Sequence, residues 1–209
     1  RHSEKSHRIA IFLTTIPEII PACQQDDYRT LQEHKKMTNF KEELRGVKAF
    51  VFDIDGVLST QTIALSVWGV PLRTVNLRDG YAIQLAVKKG YHVGVISGAN
   101  SKEYIKRLKT LGVNDIFLNS RTKKESMKEL VERWNIDLKS VLYMGDDIPD
   151  FEVMKMVGLP ACPADADSEI KQIAVYISDK KGGEGCVRDV IEQALRLHKN
   201  WMDYEAFSW

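Results

Sequence analysis

Cysteine is scarce: Cys23, Cys162 and Cys186 are the only thiols in 209 residues, and no CxxC pair occurs. An odd, unpaired set argues against a disulfide scaffold and for free buried cysteines in a reducing, cytoplasmic setting. Long apolar runs are also missing. The nearest, residues 9–20, carries Pro17 and Glu18 and is followed by Pro21, short of the roughly 20 apolar residues a bilayer span requires. Neither sign of charge dominates, with 30 basic and 29 acidic side chains and a net charge of +1. The balance favours neither nucleic acid nor a membrane surface as a partner, so any anion site must be a local cluster.

What is present is an ordinary globular composition, 44% hydrophobic and 28% charged, on a chain long enough for one domain plus an extension. Residues 1–36 mix charge, His and polar stretches without a clear period, and Met37 is the first methionine. Residues 1–38 are therefore expected to be an extension outside the catalytic fold and not part of the native product; deleting them is expected to leave activity intact. From residue 48 the pattern becomes strand–helix alternation. Short apolar runs at 49–52, 91–96, 115–118, 141–144 and 175–177 read as buried strands. Between them lie helical stripes: Tyr104, Ile105, Leu108 and Leu111; Met127, Leu130, Val131 and Trp134; and Val187, Val190, Ile191, Ala194, Leu195 and His198. These stripes read as core packing, and Gly90, Gly112 and Gly158 sit where helix C-terminal caps are expected. The fold class that follows is α/β, a Rossmann-like parallel sheet with helices on both faces over residues 39–200, with 201–209 as an aromatic tail. One segment breaks the alternation. Ile63, Leu65 and Val67 alternate, Trp68-Gly69-Val70-Pro71 offers a turn, and 72–75 continues extended; this reads as a β-hairpin inserted after the first strand, a flap over 58–77. It carries much apolar surface for a protrusion, and such surface usually meets a partner.

Ligands of a parallel sheet bind beyond the carboxyl ends of its strands, and polar residues gather at that edge. Asp53 ends the first strand, and Asp55 follows before the chain turns at Gly56. Two carboxylates so placed can divide labour, one attacking phosphorus and the other donating a proton to the leaving oxygen. Ser97-Gly98 ends the second strand, with a hydroxyl and backbone N–H groups suited to phosphate oxygens. Lys123 precedes the helix bearing Met127 and can neutralise both a phosphate and a carboxylate. Asp146 and Asp147 follow Gly145 at another strand end, and Asp150 comes three residues later. Adjacent acids there call for a hard cation, and Mg²⁺ takes one or two carboxylates plus phosphate and water. Asp147 or Asp150 can also cap the turn that follows.

In this order, DxD, Ser, Lys and GDD, the four elements resemble the motifs of haloacid-dehalogenase-like phosphatases. Neither 55–97, beyond the hairpin, nor 123–146 leaves room for a cap domain, which resembles the capless branch. Asn76-Leu77-Arg78-Asp79-Gly80-Tyr81, the GDDIPD segment from Gly145, Pro163-Ala164-Asp165-Ala166 and Gly182-Gly183-Glu184-Gly185 resemble 3-deoxy-D-manno-octulosonate 8-phosphate phosphatases over roughly residues 45–198. The chain departs from that family at Ala99 and Glu184, where many and some members, respectively, carry Arg. A nine-carbon keto-sugar-acid 9-phosphate is therefore the rival substrate.

The resemblance implies a Mg²⁺-dependent phosphomonoester hydrolase of lipopolysaccharide precursor synthesis. It implies a homotetramer whose hairpins pack together and whose neighbours complete each site. Asp53, the Asp55 carbonyl and Asp146 would hold the metal, with Asp147 orienting its surroundings. Asp53 would be the nucleophile, Asp55 the acid and base, and Ser97, Gly98 and Lys123 the phosphate contacts. Asn76, Arg78, Asp79 and Gly80 would line the substrate site with Arg107 near it. Arg73 on the hairpin is a further cation for a substrate bearing both phosphate and carboxylate. A phospho-acceptor signalling domain is the non-enzyme alternative; Asp55 argues against it, because a proton donor is required only when an alkoxide leaves.

Overall fold

A computed structural model describes residues 40–208; the expected extension, Cys23 and the last tail residue fall outside the described residues. Helix α1 (Phe40–Leu44) leads into strand β1 (Ala49–Phe52). The hairpin strands β2 (Ala64–Leu65) and β3 (Pro71–Leu72) follow, then α2 (Leu77–Lys88), β4 (His92–Ile96), α3 (Lys102–Thr110) and β5 (Asp115–Phe117). The chain continues through α4 (Lys123–Trp134), β6 (Val141–Met144), α5 (Phe151–Met154), β7 (Leu159–Cys162), α6 (Ser168–Ile173), β8 (Tyr176–Ile177) and α7 (Cys186–Leu197). Strands pair in the order β5-β4-β1-β6-β7-β8, each pair parallel. Among the described residues no cap domain interrupts this unit, and no helix is long and apolar enough to cross a membrane.

A strand buried on both faces sends alternate side chains into two cores. In β1, Phe50 and Phe52 join a core built with α1, α2, α3 and α7, while Ala49 and Val51 face a second core with α4, α5 and α6. Strand β6 repeats the split, Leu142 and Met144 on one side and Val141 and Tyr143 on the other. The three helical stripes lie against these cores as expected, with Ile105, Trp134 and His198 only partly covered. Cys162 and Cys186 are buried and free.

Two expectations need correction. Strand β7 is absent from the sequence reading because its run is short and carries Pro160, a residue that argues against an interior strand; yet it pairs with β6 through Leu142↔Leu159 and Met144↔Ala161. Gly158 caps no helix: α5 ends at Met154, and a Cβ on Gly158 would stand 2.2 Å from the Lys139 carbonyl oxygen. Close backbone approach, not a left-handed cap, requires glycine there. Gly90 and Gly112 do adopt positive φ just past α2 and α3.

The expected hairpin is present. Ala64 pairs with Leu72 and Leu65 with Pro71, and Ser66 N donates to Val70 O at 2.8 Å across the turn. Its base is sewn to the body: Thr74 N donates to Ser59 Oγ at 2.9 Å and Thr60 N to Thr74 Oγ1 at 3.0 Å. Its apolar residues are open, with Val67 89% and Trp68 85% exposed. The tail instead folds onto its own chain. Trp201 is buried, with the Arg188 and Arg196 guanidinium groups over its ring. Lys89 pairs with Asp203 and Glu205, and the Tyr81 hydroxyl donates to the Ala206 carbonyl.

Candidate active site

Strand β1 is the switch point of the sheet: the chain leaves it toward β4 and β5 on one side and returns to β6, β7 and β8 on the other. Outside such a point the loops diverge and a crevice opens. A cavity of about 770 Å³ lies there, lined among others by Asp53, Asp55, Ser97, Lys123, Asp146 and Asp150. Asp53 Oδ1 accepts from Ile54 N at 2.6 Å and its Oδ2 from Lys123 Nζ at 2.7 Å. Lys123, the first residue of α4, also donates to Asp150 Oδ1 at 2.6 Å. Asp146 follows β6, and its backbone N–H donates to Asp150 Oδ2 at 3.2 Å. Ser97 is buried at the end of β4, where its Oγ accepts from Ala99 N at 3.2 Å and keeps its own proton to donate.

Asp53, Asp146 and Asp150 each bring a carboxylate oxygen within 4.8 Å of the others, a grouping that fits a divalent cation. Of the three, Asp53 and Asp146 are the candidate ligands. Asp150 is fully engaged, its Oδ1 held by Lys123 and by the Tyr143 hydroxyl at 2.5 Å, its Oδ2 by the Asp146 and Asp147 N–H groups. Among the described residues, Asp146 Oδ2 accepts only from Gln61 Nε2, at 3.3 Å. Glycine makes this approach possible: with φ +82 at Gly56, a Cβ would sit 1.9 Å from Asp146 Oδ2.

The electrostatics also call for a cation. Burial, reinforced by the Asp150 carboxylate, pushes Asp53 up to about 6 against the opposing pull of Lys123. Burial, with Asp150 and Asp53 behind it, pushes Asp146 up to about 7. Burial works to neutralise Lys123 as well, but Asp150 and Asp53 outweigh it and hold its pKa above the ordinary lysine value. A carboxyl raised on folding binds its proton more tightly in the folded state. The resulting penalty is absent below the unfolded value near 4 and complete above the folded values of about 6 and 7. Metal-free protein is therefore expected to lose on the order of a few kcal/mol from these groups between pH 4 and 8. If the ionised pair holds Mg²⁺, the ion should raise Tm more at pH 8 than at pH 5, read by thermal melts with and without it. Equal increments at both pH values would count against a site built from these carboxylates.

The other expected residues divide between this cavity, which Asp55, Gly98 and Asp147 also line, and positions away from it. Asp55 lines the cavity, and both its oxygens accept from Arg73, at 2.7 and 2.8 Å. Asp147 is exposed, and its Oδ1 caps Ile148 N at 2.8 Å. Gly98 lies at the cavity wall. Asn76, Arg78, Asp79, Gly80 and Arg107 are not brought to this cavity within one chain. Asn76 Oδ1 caps α2 by accepting from Arg78 N and Asp79 N. Asp79 turns toward α7, accepting from Arg188 N at 2.7 Å, and burial pushes its carboxyl up to about 6. With Gly80 and Arg107 it lines a separate, smaller cavity beside Tyr104, whose hydroxyl donates to Leu58 O at 3.0 Å. Arg78 is exposed.

In the sequence Asp150 reads only as a cap, and neither Tyr143 nor Gln61 is marked for the site. The GDDxxD spacing carries a signal for Asp150: the turn after Asp147 returns the third acid to Lys123. Nothing in the apolar run of β6 marks Tyr143, whose hydroxyl meets Asp150 only in the fold.

A family model described as haloacid dehalogenase-like hydrolase matches residues 109–191. The chain is 33% identical over 158 residues to the 3-deoxy-D-manno-octulosonate 8-phosphate phosphatase KdsC of Salmonella typhi, covering 76% of this chain and 84% of that protein. The crystal structure of the Yersinia pestis 3-deoxy-D-manno-octulosonate 8-phosphate phosphatase superposes with a TM-score of 0.74 at 30% identity, over 77% of this chain and 87% of that one. The Moraxella catarrhalis phosphatase, solved with a magnesium ion, a phosphate ion and a KDO molecule, gives a TM-score of 0.75 at 27% identity over 82% and 97%.

Proposed function

The chain belongs to the 3-deoxy-D-manno-octulosonate 8-phosphate phosphatase family of haloacid dehalogenase-like hydrolases, and from that premise we propose how its residues release phosphate from 3-deoxy-D-manno-octulosonate 8-phosphate. The observation that carries the reading is the meeting of Asp53 and Asp146 within 4.8 Å, with Lys123 bonded to Asp53. Asp53, the Asp55 carbonyl and Asp146 would hold the Mg²⁺ cofactor, which would supply positive charge for the phosphate oxygens and relieve repulsion between the carboxylates.

Asp53 attacks phosphorus in line as the bond to the sugar oxygen breaks, and Asp55 gives that oxygen its proton. Asp55 then takes a proton from the water that attacks the aspartyl phosphate. The bond from phosphorus to Asp53 breaks, which frees inorganic phosphate and restores the carboxylate. The Ser97 hydroxyl and the remaining Lys123 proton hold the transferring oxygens, whose charge grows in the transition state. Asp150 positions Lys123 from behind, and Asp147 shapes the turn that presents Asp146. The expected result is phosphate release from the sugar-acid phosphate that requires Mg²⁺ and stops with a chelator. A panel including the nine-carbon 9-phosphate, compared by kcat/KM, ranks the substrates; release unaffected by chelation would remove the reading.

Residues 39–200 form the catalytic domain in this proposal, residues 1–38 lie outside it, and the chain works in the cytoplasm as a homotetramer. The exposed Leu65, Val67, Trp68, Val70 and Leu72 form an apolar protrusion of the kind that pairs with copies of itself. Asn76, Asp79, Gly80 and Arg107 then serve substrate only in the assembled protein, since within one chain they line another cavity, and the exposed Arg78 joins them there. Trp68→Glu is expected to shift sedimentation toward smaller species while the monomer fold persists by circular dichroism. An unchanged tetramer would exclude the hairpin as the contact.

A further inference from the structure

We propose that Gln61 is a positioning residue for the metal site, holding one oxygen of Asp146 so that the other is left to face the cation. The inference rests on the phosphatase reading above and deepens it. The three grouped carboxylates are not held alike. Asp53 is fixed by Ile54 N and Lys123, and Asp150 by Lys123, Tyr143 and two backbone N–H groups. Among the described residues the Asp146 carboxylate accepts one hydrogen bond, from Gln61 Nε2 at 3.3 Å. The same nitrogen donates to Asp165 O at 2.9 Å. Two oxygen acceptors on one side of the amide fix which end is nitrogen, because a flipped amide would set Oε1 against both. This strap is anchored at each end. Thr60 N, just before Gln61, donates to Thr74 Oγ1 at 3.0 Å, and Asp165 Oδ1 accepts from Gly182 N at 2.9 Å. Carboxylates that ligate a metal are aimed by their other hydrogen bonds, and loss of such a partner typically costs roughly 10–100-fold in metal affinity or activity. Gln61 lies in the segment that enters the hairpin, so the aim of an acid 85 residues away is set from the hairpin base.

The test measures Mg²⁺ binding to metal-free wild type, Gln61→Met, Gln61→Ala and Asp146→Asn by isothermal titration calorimetry, without substrate and at one pH. Gln61→Met keeps a stem of similar length and removes the donor. Its dissociation constant for Mg²⁺ is expected to rise about tenfold, the low end of that range because the 3.3 Å bond is long. Gln61→Ala should match it, since the donor and not the stem is at issue. Metal-free melting temperatures of both should stay close to wild type, because Gln61 is exposed. With 3-deoxy-D-manno-octulosonate 8-phosphate as substrate, both variants should lose activity at limiting Mg²⁺ and recover most of it as Mg²⁺ is raised, with KM for the sugar-acid phosphate little changed. Unaltered Mg²⁺ affinity, or a loss confined to Gln61→Ala, would overturn the proposal. Tighter binding would do the same, since it would make Gln61 a competitor of the ion, and so would a loss of activity that added Mg²⁺ does not restore. Each of these leaves the phosphatase reading in place. A wild type that binds no Mg²⁺, or an Asp146→Asn variant that binds it as tightly as wild type, would overturn that reading and this one with it.

Discussion

Asp53→Asn is expected to reduce phosphate release by a factor on the order of 10⁴ to 10⁶, the scale on which losing a covalent nucleophile is felt. The amide is nearly isosteric but cannot attack phosphorus, and it removes one of the three carboxylates grouped within 4.8 Å. The fold should persist. Lys123 keeps its 2.6 Å bond to Asp150, and the substitution removes a carboxylate whose ionised form burial, reinforced by Asp150, already disfavours. Thermal melts of metal-free protein should therefore move little, while the stabilisation by Mg²⁺ should shrink. Wild-type protein quenched in acid during turnover should carry a phosphate that hydroxylamine removes, as an acyl phosphate does; the variant should carry none. Turnover near the wild-type rate would sink the covalent scheme.

Lys123→Met is the change expected to affect stability most. The lysine is buried between two carboxylates, with 5% of its side chain exposed. Removing it leaves Asp53 and Asp150 without their cation. Breaking a buried pair by deleting one partner typically costs about 3–5 kcal/mol, which urea unfolding of metal-free protein would detect. Activity should also fall by roughly 10² to 10³, since the charge facing the transferring oxygens is gone. Two further measurements separate this account from a simple packing defect. Mg²⁺ should restore more stability to Lys123→Met than to wild type, because the uncompensated Asp53 is part of its site. Adding Asp150→Asn to Lys123→Met should return part of the lost stability, since the second substitution removes one of the stranded charges. A Lys123→Met protein as stable as wild type would show that the lysine does not balance these acids.

The legible parts of this molecule were those in which chain order and geometry coincide. A strand that ends in an acid places that acid at the carboxyl edge of the sheet, and Asp53, Ser97 and Asp146 all sit there. The helical stripes were legible because a 3.6-residue period has a single buried face. Strand β7 was not, since Pro160 reads as a breaker until its neighbours are known. Arg73 could be named only as a cation on a hairpin, because its bond to Asp55 joins two residues eighteen apart whose approach is set by the hairpin base. The same gap explains Asn76 and Asp79. Their spacing suits a site, but α2 turns the first into its own cap and the second toward α7.

By itself the sequence determined the α/β class, the four motif positions and the family, because strand periodicity, helix periodicity and acids at strand ends are properties of short stretches of chain. The tertiary structure alone decided which acids come together and which is held away from them. Asp147 and Asp150 belong to one segment, yet the turn between them sends the first toward solvent and the second under Lys123. That outcome depends on β1 and β6 lying side by side in the sheet, and strand adjacency is set by packing across the whole domain.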